Sequence, residues 1–363
     1  MLEGRIESIV YTHRISGTLK LVEYKENVND WPSRCIVKKG DVMYSVSKWV
    51  SPKRTRSYPY SRVYDTFSFP GGKRVTIIPI VKDEGLRGDR DYLQWSTVAL
   101  MSLLNVYVII GYYEDGDPRG LKITNQRFND SFIKEQFEKL EKYHSSSLHW
   151  NLDQLNSQNL KELLNKVIYS YDKINKEKGI IFHGNSGLLG FQQKLGNTVE
   201  EFKQFSSLKS QGGQHRETLT THLLESLGDG EKMKIIIENY LGGLYYFTVD
   251  DVINNEGHFL LMECKHSNNG TLPSDDDVKD GLLKLILFTN LNKLFFEKGE
   301  VTFTPVLQLT SHKMIGSLTE SSDKQEIDTF VKSNKLNNSK KLFLTELVNE
   351  VRDNRMKLII KKV

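Results

Sequence analysis

KIIIENYLGGLYYFTVDDVINNEGHFLLMECKHS, Lys234–Ser267, holds two apolar runs, LYYFTVDDV and FLLMECK, around a turn at Asn254–Gly257, and reads as a β-hairpin. The second run is apolar up to Met262 and then changes to Glu263-Cys264-Lys265. Side chains on a strand alternate faces, so Glu263 and Lys265 share one face and Cys264 takes the other. A two-residue Glu256-Gly257 turn pairs Asn255 with His258 and sets Asp250 opposite Glu263. A four-residue loop shifts the pairing by two and leaves Asp250 on the same face. Asp251 points away in both registers. Two facing carboxylates repel, and burying them is costly unless a cation lies between them. A hard divalent ion with oxygen ligands meets that need, and Mg²⁺ is the natural candidate. Lys265 beside such an ion can position or deprotonate a water, or stabilise developing negative charge. Phosphodiester hydrolysis needs these parts.

The flanks give the hairpin a setting. QGGQHRETLTTHLLESLGDG, Gln211–Gly230, reads as a turn, a helix and a glycine stop. SDDDVKDGLLKLILFTNLNKLFF follows the hairpin. Ser274 can cap its helix, and three aspartates occupy the first turn, where the helix dipole favours them. VTFTPVLQLTS, Val301–Ser311, closes the order helix, hairpin, helix, strand. From Asp323 the pattern predicts two helices and a last strand, MKLIIKK.

Residues 1–125 are β-rich. IESIVYTHRI and LKLVEYK flank Ser16-Gly17, which predicts a hairpin. RVTIIPIV, Arg74–Val81, is an almost purely apolar strand of the kind found at sheet centres. A helical stretch from about Asp91 to Leu104 and the strand VYVIIGYY follow it. Residues 126–210 are mostly helical, with FIKEQFEKLEKYH and LKELLNKVIYSYDKI carrying apolar residues at three- and four-residue spacing.

Composition narrows the class. The chain has 363 residues, 38% hydrophobic and 26% charged, which predicts a soluble globular protein of about two domains. The longest apolar stretch, Val98–Tyr113, is shorter than the roughly 20 residues of a spanning helix, and no signal peptide is visible, so no membrane partner is expected. Two isolated cysteines, Cys35 and Cys264, make neither a disulfide framework nor a zinc site, and a cytoplasmic location is expected. The net charge of +4 permits nucleic-acid binding without demanding it. Lys48–Tyr64 concentrates the positive charge: Lys48, Lys53, Arg54, Arg56 and Arg62, no acid, and Trp49, Tyr58, Tyr60 and Tyr64 interleaved. Such a run can hold phosphates and stack on bases, or be a solvated basic loop. Asp83, Glu84, Asp89 and Asp91, interleaved with Arg87 and Arg90, form a second charged stretch. It reads as a salt-bridged surface loop or as part of a recognition or effector-binding domain.

Acid-x-lysine triplets are cheap, and this chain has four, ending at Lys25, Lys203, Lys265 and Lys279. Only Glu263 combines a strand end, an aspartate on the preceding strand and helices on both sides. On these residues the chain resembles the PD-(D/E)XK nuclease superfamily, best known from type II restriction endonucleases, over roughly residues 212–312. The resemblance implies that Asp250 and Glu263 bind Mg²⁺ and that Lys265 organises water. It adds a glutamate from the preceding helix, with Glu217 the better match and Glu225 the alternative. Val249 stands where the family's proline would be.

The implied fold is α/β: a restriction-endonuclease-like core, a mixed β-sheet flanked by helices, at 211–320. An N-terminal β-rich α/β domain for DNA recognition or sensing would occupy 1–125, a helical connecting region 126–210, and C-terminal helices and a strand 321–363. The implied function is Mg²⁺-dependent, sequence-specific cutting of double-stranded DNA. A homodimer is expected for double-strand cuts, and a cognate methyltransferase would be a genetic rather than a physical partner. An effector-gated defence nuclease with an N-terminal sensor and a non-catalytic DNA-binding protein are the alternatives.

Overall fold

A computed structural model describes residues 1–15, 17, 19–53, 59–184, 186–194, 231–239 and 244–363. The chain divides into two compact units, one of Met1–Thr18 with Leu219–Val363 and one of Leu19–Thr218. In chain order, the elements are β1 (Leu2–Ile6), β2 (Lys20–Glu23), β3 (Arg34–Lys39), β4 (Val42–Lys48), α1 (Pro59–Thr66), β5 (Lys73–Pro79), β6 (Val81–Asp83), β7 (Arg90–Tyr92), α2 (Trp95–Leu103), β8 (Tyr107–Gly111), β9 (Tyr113–Arg119), β10 (Lys122–Phe128), α3 (Asp130–Glu141), α4 (Ser147–Gln154), α5 (Ser157–Lys178) and α6 (Ser186–Lys194). They continue with β11 (Glu231–Asn239), β12 (Leu244–Asn255), β13 (His258–Ser267), α7 (Asp275–Thr289), β14 (Lys293–Phe296), β15 (Gly299–Glu300), β16 (Thr302–Ser311), β17 (Leu318–Thr319), α8 (Lys324–Ser333), α9 (Asn338–Asp353) and β18 (Lys357–Lys362).

The Leu19–Thr218 unit is built on a sheet of order β2-β3-β4-β5-β8. β5 lies inside it, parallel to both β4 and β8, and is buried from Val75 to Pro79, which explains its apolar sequence. α2 connects β5 to β8. The helix starts at Trp95 because Asp91, expected within it, lies in β7 opposite Lys82. β8 ends the sheet, and α4 covers its free backbone groups. Asn151 accepts from the Val108 N–H at 2.7 Å and donates to the Val106 carbonyl at 3.0 Å, while the Trp150 indole donates to the Val108 carbonyl at 2.7 Å. Ile133, Phe137 and Leu140 of α3, with Trp150, share one core with Val75, Ile77 and Ile109. Residues 19–125 of the expected N-terminal domain and the described helices of the expected connector fall in one unit, because those helices bury their apolar faces on its strands, whereas Met1–Thr18 belongs with Leu219–Val363.

The other unit carries a mixed sheet of order β15-β14-β1-β11-β12-β13-β16-β18-β17 among the described residues, flanked by helices. β12 and β13 are antiparallel neighbours, while β13, β16 and β18 run parallel. α7 packs on β13 and β16 and is buried from Val278 to Phe288. Its start is the one expected: Ser274 and Asp277 form a reciprocal capping box. α8, α9 and β18 form the predicted tail. No described helix is long and apolar enough to cross a membrane.

The expected hairpin around Ser16-Gly17 does not form. β1 lies between β11 and β14, and β2 pairs with β3 in the other unit's sheet, while Ser16 itself lies outside the described residues. The chain after β1 leaves strand pairing because side-chain amides and carboxylates take up its backbone groups. The N–H groups of Glu7, Val10 and Thr12 donate to Asn292, Asn290 and Asn354 at 3.0, 2.7 and 2.8 Å. Glu350 of α9 is fully buried and accepts from the Tyr11 hydroxyl at 2.6 Å and from the Arg14 and Ile15 N–H groups at 2.8 Å each. Burial and the adjacent Glu350 push the Tyr11 pKa well up, so the phenol stays protonated and keeps donating.

Glu350→Gln would place an amide donor where the carboxylate accepts three hydrogen bonds. We expect a loss of about 1.5–3 kcal/mol, the worth of one charge-assisted bond, in chemical denaturation. A change below about 0.5 kcal/mol, the usual range of surface substitutions, would show that the segment is not held this way.

Candidate functional site

The turn of the β12–β13 hairpin fixes its register. Glu256 and Gly257 both have positive φ, 51° and 91°, as a tight two-residue turn requires. Asn255 pairs with His258, and the pairing runs regularly to Asp251 with Met262. One step further sets Asp250 beside Glu263, where its Oδ2 accepts from the Cys264 N–H at 3.2 Å. Asp251, opposite Met262, takes the other face; there Met262 and Cys264 join Val306 in an apolar cluster. Burial, then the nearby Asp250 and Glu263 carboxylates, pushes the Cys264 thiol pKa far up, which leaves it a packing residue without nucleophilic character.

On the α7 side, the Glu263 carboxylate is completely buried and each of its oxygens meets an ammonium. Lys265 Nζ lies 2.9 Å from Oε1 and Lys284 Nζ lies 2.7 Å from Oε2. Lys284 also reaches Asp250 Oδ1 at 3.5 Å, and Lys265 lies 3.8 Å from Asp280 Oδ2. The Asp250 side chain is 26% exposed and is the most open of these five charged groups. The structure thus brings together Asp250, Glu263 and Lys265, and adds Asp280 and Lys284 from the helix.

Lys279 and Lys284 are charged residues within the otherwise largely apolar α7. Both are buried, at 6% exposure. Asp280, Gly281 and Lys284 follow the one-turn spacing that places residues on one helical face. Gly281 lets that face approach the strand. A Cβ there would stand 3.1 Å from Glu263 Cγ and 3.2 Å from Lys265 Cε. The signal in the sequence was the interruption of an apolar helix by Asp280-Gly281 and, one turn on, Lys284.

The chemistry of this donor set suits a hard divalent cation. Two carboxylates, Asp250 and Glu263, converge from neighbouring strands, and an ammonium already contacts both. Among the described residues no group of three or more His, Cys, Asp or Glu side chains is placed to hold a metal ion. Glu217 and its alternative Glu225 lie outside the described residues.

The basic stretch of the other unit corrects an expectation. Lys48 is buried, and its Nζ donates to the carbonyls of Val28 at 2.5 Å and Asn29 at 3.3 Å; burial lowers its pKa to about 8. It is therefore no surface cation for phosphate. Trp49, Tyr60 and Tyr64 are core residues, with Trp49 and Tyr60 meeting edge-on at 5.8 Å, so none of the three is a stacking platform. Arg62 donates to the Lys48 carbonyl at 2.6 Å, and Lys53, half-exposed, pairs with buried Asp91 at 2.7 Å. Arg54, Arg56 and Tyr58 lie outside the described residues. Two acids of the second charged stretch, Asp83 and Asp91, are likewise drawn inward. Asp83 is buried and accepts from Arg90 Nε at 2.6 Å, and its other oxygen meets His183 Nδ1 at 2.8 Å. Asp83 and Asp91 are thus buried and ion-paired, while Leu86, Arg87 and Asp89 stay exposed in the turn between β6 and β7.

Compared with protein-family models, with curated proteins and with solved structures, the chain shows no match. The helix–strand approach at Gly281 can be tested directly. In an open helix, Gly→Ala stabilises by about 1 kcal/mol. At Gly281 the crowding of Glu263 and Lys265 should cancel or reverse that gain, and Gly281→Val should cost about 1–3 kcal/mol by overpacking. Thermal unfolding reads both, and a full gain on Gly281→Ala would contradict the packing described.

Proposed function

We propose that this protein is a metal-dependent nuclease of the PD-(D/E)XK type, with the β12–β13 hairpin and α7 as its reaction centre. The observation that carries the reading is the meeting of Asp250, Glu263 and Lys265 on one face. Two features of the fold support it: the hairpin lies within a mixed sheet, and a helix connects towards a parallel neighbouring strand. Asp250 and Glu263 would hold Mg²⁺, with Glu217 as a further carboxylate from the preceding segment. When bound, the ion supplies Lewis-acid polarisation of the phosphate and lowers the pKa of water. Lys265, fixed by Glu263, directs its ammonium to the attacking water and to the charge that builds on phosphate. Asp250, the most open carboxylate, faces the incoming substrate. Double-stranded DNA is the proposed substrate, and cutting both strands calls for two such centres, hence a dimer on DNA.

A second reading has one observation in its favour. Lys265 and Lys284 neutralise much of the carboxylate charge by themselves, which suits a structural ion-pair cluster in a non-catalytic protein. Cleavage assays separate the two. With Mg²⁺ and genomic DNA, the protein should produce fragments with 5′-phosphate ends, and discrete bands would show sequence specificity. Lys265→Ala and Asp250→Asn should retain the folded circular-dichroism spectrum and lose at least about 100-fold in rate, the scale of losing one electrostatic contact to the transition state. Variants cutting as fast as the parent protein would contradict the assignment. Absence of cleavage across DNA types, divalent ions and added nucleotides would favour the structural cluster.

A further inference from the structure

We propose that Lys284 is a built-in competitor of the divalent cation: its ammonium and the ion contend for one position between Asp250 and Glu263, so that loading the site expels Lys284. The inference rests on the nuclease reading and concerns how the same site is regulated. Three features carry it. First, Lys284 Nζ bridges the two carboxylates, at 2.7 Å from Glu263 and 3.5 Å from Asp250. Lys265 instead holds the other Glu263 oxygen and faces Asp280. Second, the two lysines differ in origin. Lys265 stands on the same strand as Glu263, whereas Lys284 reaches in from α7 on a flexible four-carbon stem that can withdraw without moving the hairpin. Third, the charges are incompatible. Mg²⁺ coordinates oxygen at about 2.0–2.1 Å, so an ion on Glu263 Oε2 would stand within a few ångströms of the ammonium already there. In a buried setting, repulsion at that distance is strong.

Lys284 therefore plays two parts. Without the cation it is the counter-charge that lets Glu263 stay buried. With the cation it is displaced, and the work of displacing it weakens cation binding in the absence of substrate. The site is held closed by its own lysine until ion binding exceeds that cost.

Two readouts independent of cleavage test this in the full-length protein. Acetylation of wild-type lysines, followed by mass spectrometry, should find Lys284 protected in metal-free buffer and several-fold more reactive at saturating Mg²⁺ or Mn²⁺. Exposed Lys20 serves as the unchanged reference. Lys284→Gln should bind Mn²⁺ at least tenfold more tightly than the wild type by calorimetry, without DNA. Unchanged Lys284 labelling at saturating cation overturns the inference, and so does equal or weaker binding by a folded variant. If Lys284→Gln does not fold, the wild-type labelling alone decides. Cation binding of equal strength in both proteins removes the competition but leaves the nuclease reading in place. No cation binding in either protein removes both.

Discussion

The burial of one carboxylate organises the larger mixed sheet of this protein. Glu263 has no exposed surface, and an isolated buried carboxylate would cost several kcal/mol in lost hydration. Lys265 and Lys284 supply the counter-charge, each taking one of its oxygens, at 2.9 and 2.7 Å. Those two contacts dictate much of the surroundings. Lys265 must follow Glu263 by two residues to share its face. α7 must lie close enough for Lys284 to reach, and Gly281 must leave space for the stems of both strand residues. Asp250 enters the same circle through the register of the hairpin. Structural economy would avoid so many charges inside a helix–sheet interface, and their concentration at one place argues for a role beyond packing.

The hairpin and its site were legible because strand chemistry is local. Alternation fixes faces, and Glu256-Gly257 fixes register through a turn whose positive φ angles suit that pair. From these two rules Asp250, Glu263 and Lys265 fall together and Asp251 falls away. The helical side of the site was harder to see. Whether a lysine on α7 is solvated or buried depends on how deep the helix sits, and a charged residue in the sequence says nothing of depth. Lys284 is buried because α7 is buried over its whole middle.

The Leu19–Thr218 unit shows the converse error. Lys48, Trp49, Tyr60, Arg62 and Tyr64 have the composition of a nucleic-acid surface, yet each makes an internal contact or belongs to the core. A run of cations without acids signals exposure only when its polar ends have no carbonyl to satisfy, and Lys48 satisfies two. The misplaced first hairpin has a similar cause. β1 and β2 are both strand-like, but β1 pairs with β11 and β14, far along the chain, and β2 with the next strand, β3, while backbone N–H groups of residues 7–15 donate to asparagine and glutamate side chains instead of to a neighbouring strand.

The central claim is that Asp250 and Glu263 form a cation site beside Lys265 in a DNA-cutting centre. The most direct measurement is anomalous diffraction from crystals of the protein with a DNA duplex and Mn²⁺. The account predicts a peak within coordination distance of both carboxylates, with the backbone of the duplex next to Lys265 Nζ. A saturating ion that leaves no peak there, with Lys284 still bridging Asp250 and Glu263 and the duplex bound elsewhere, would contradict it.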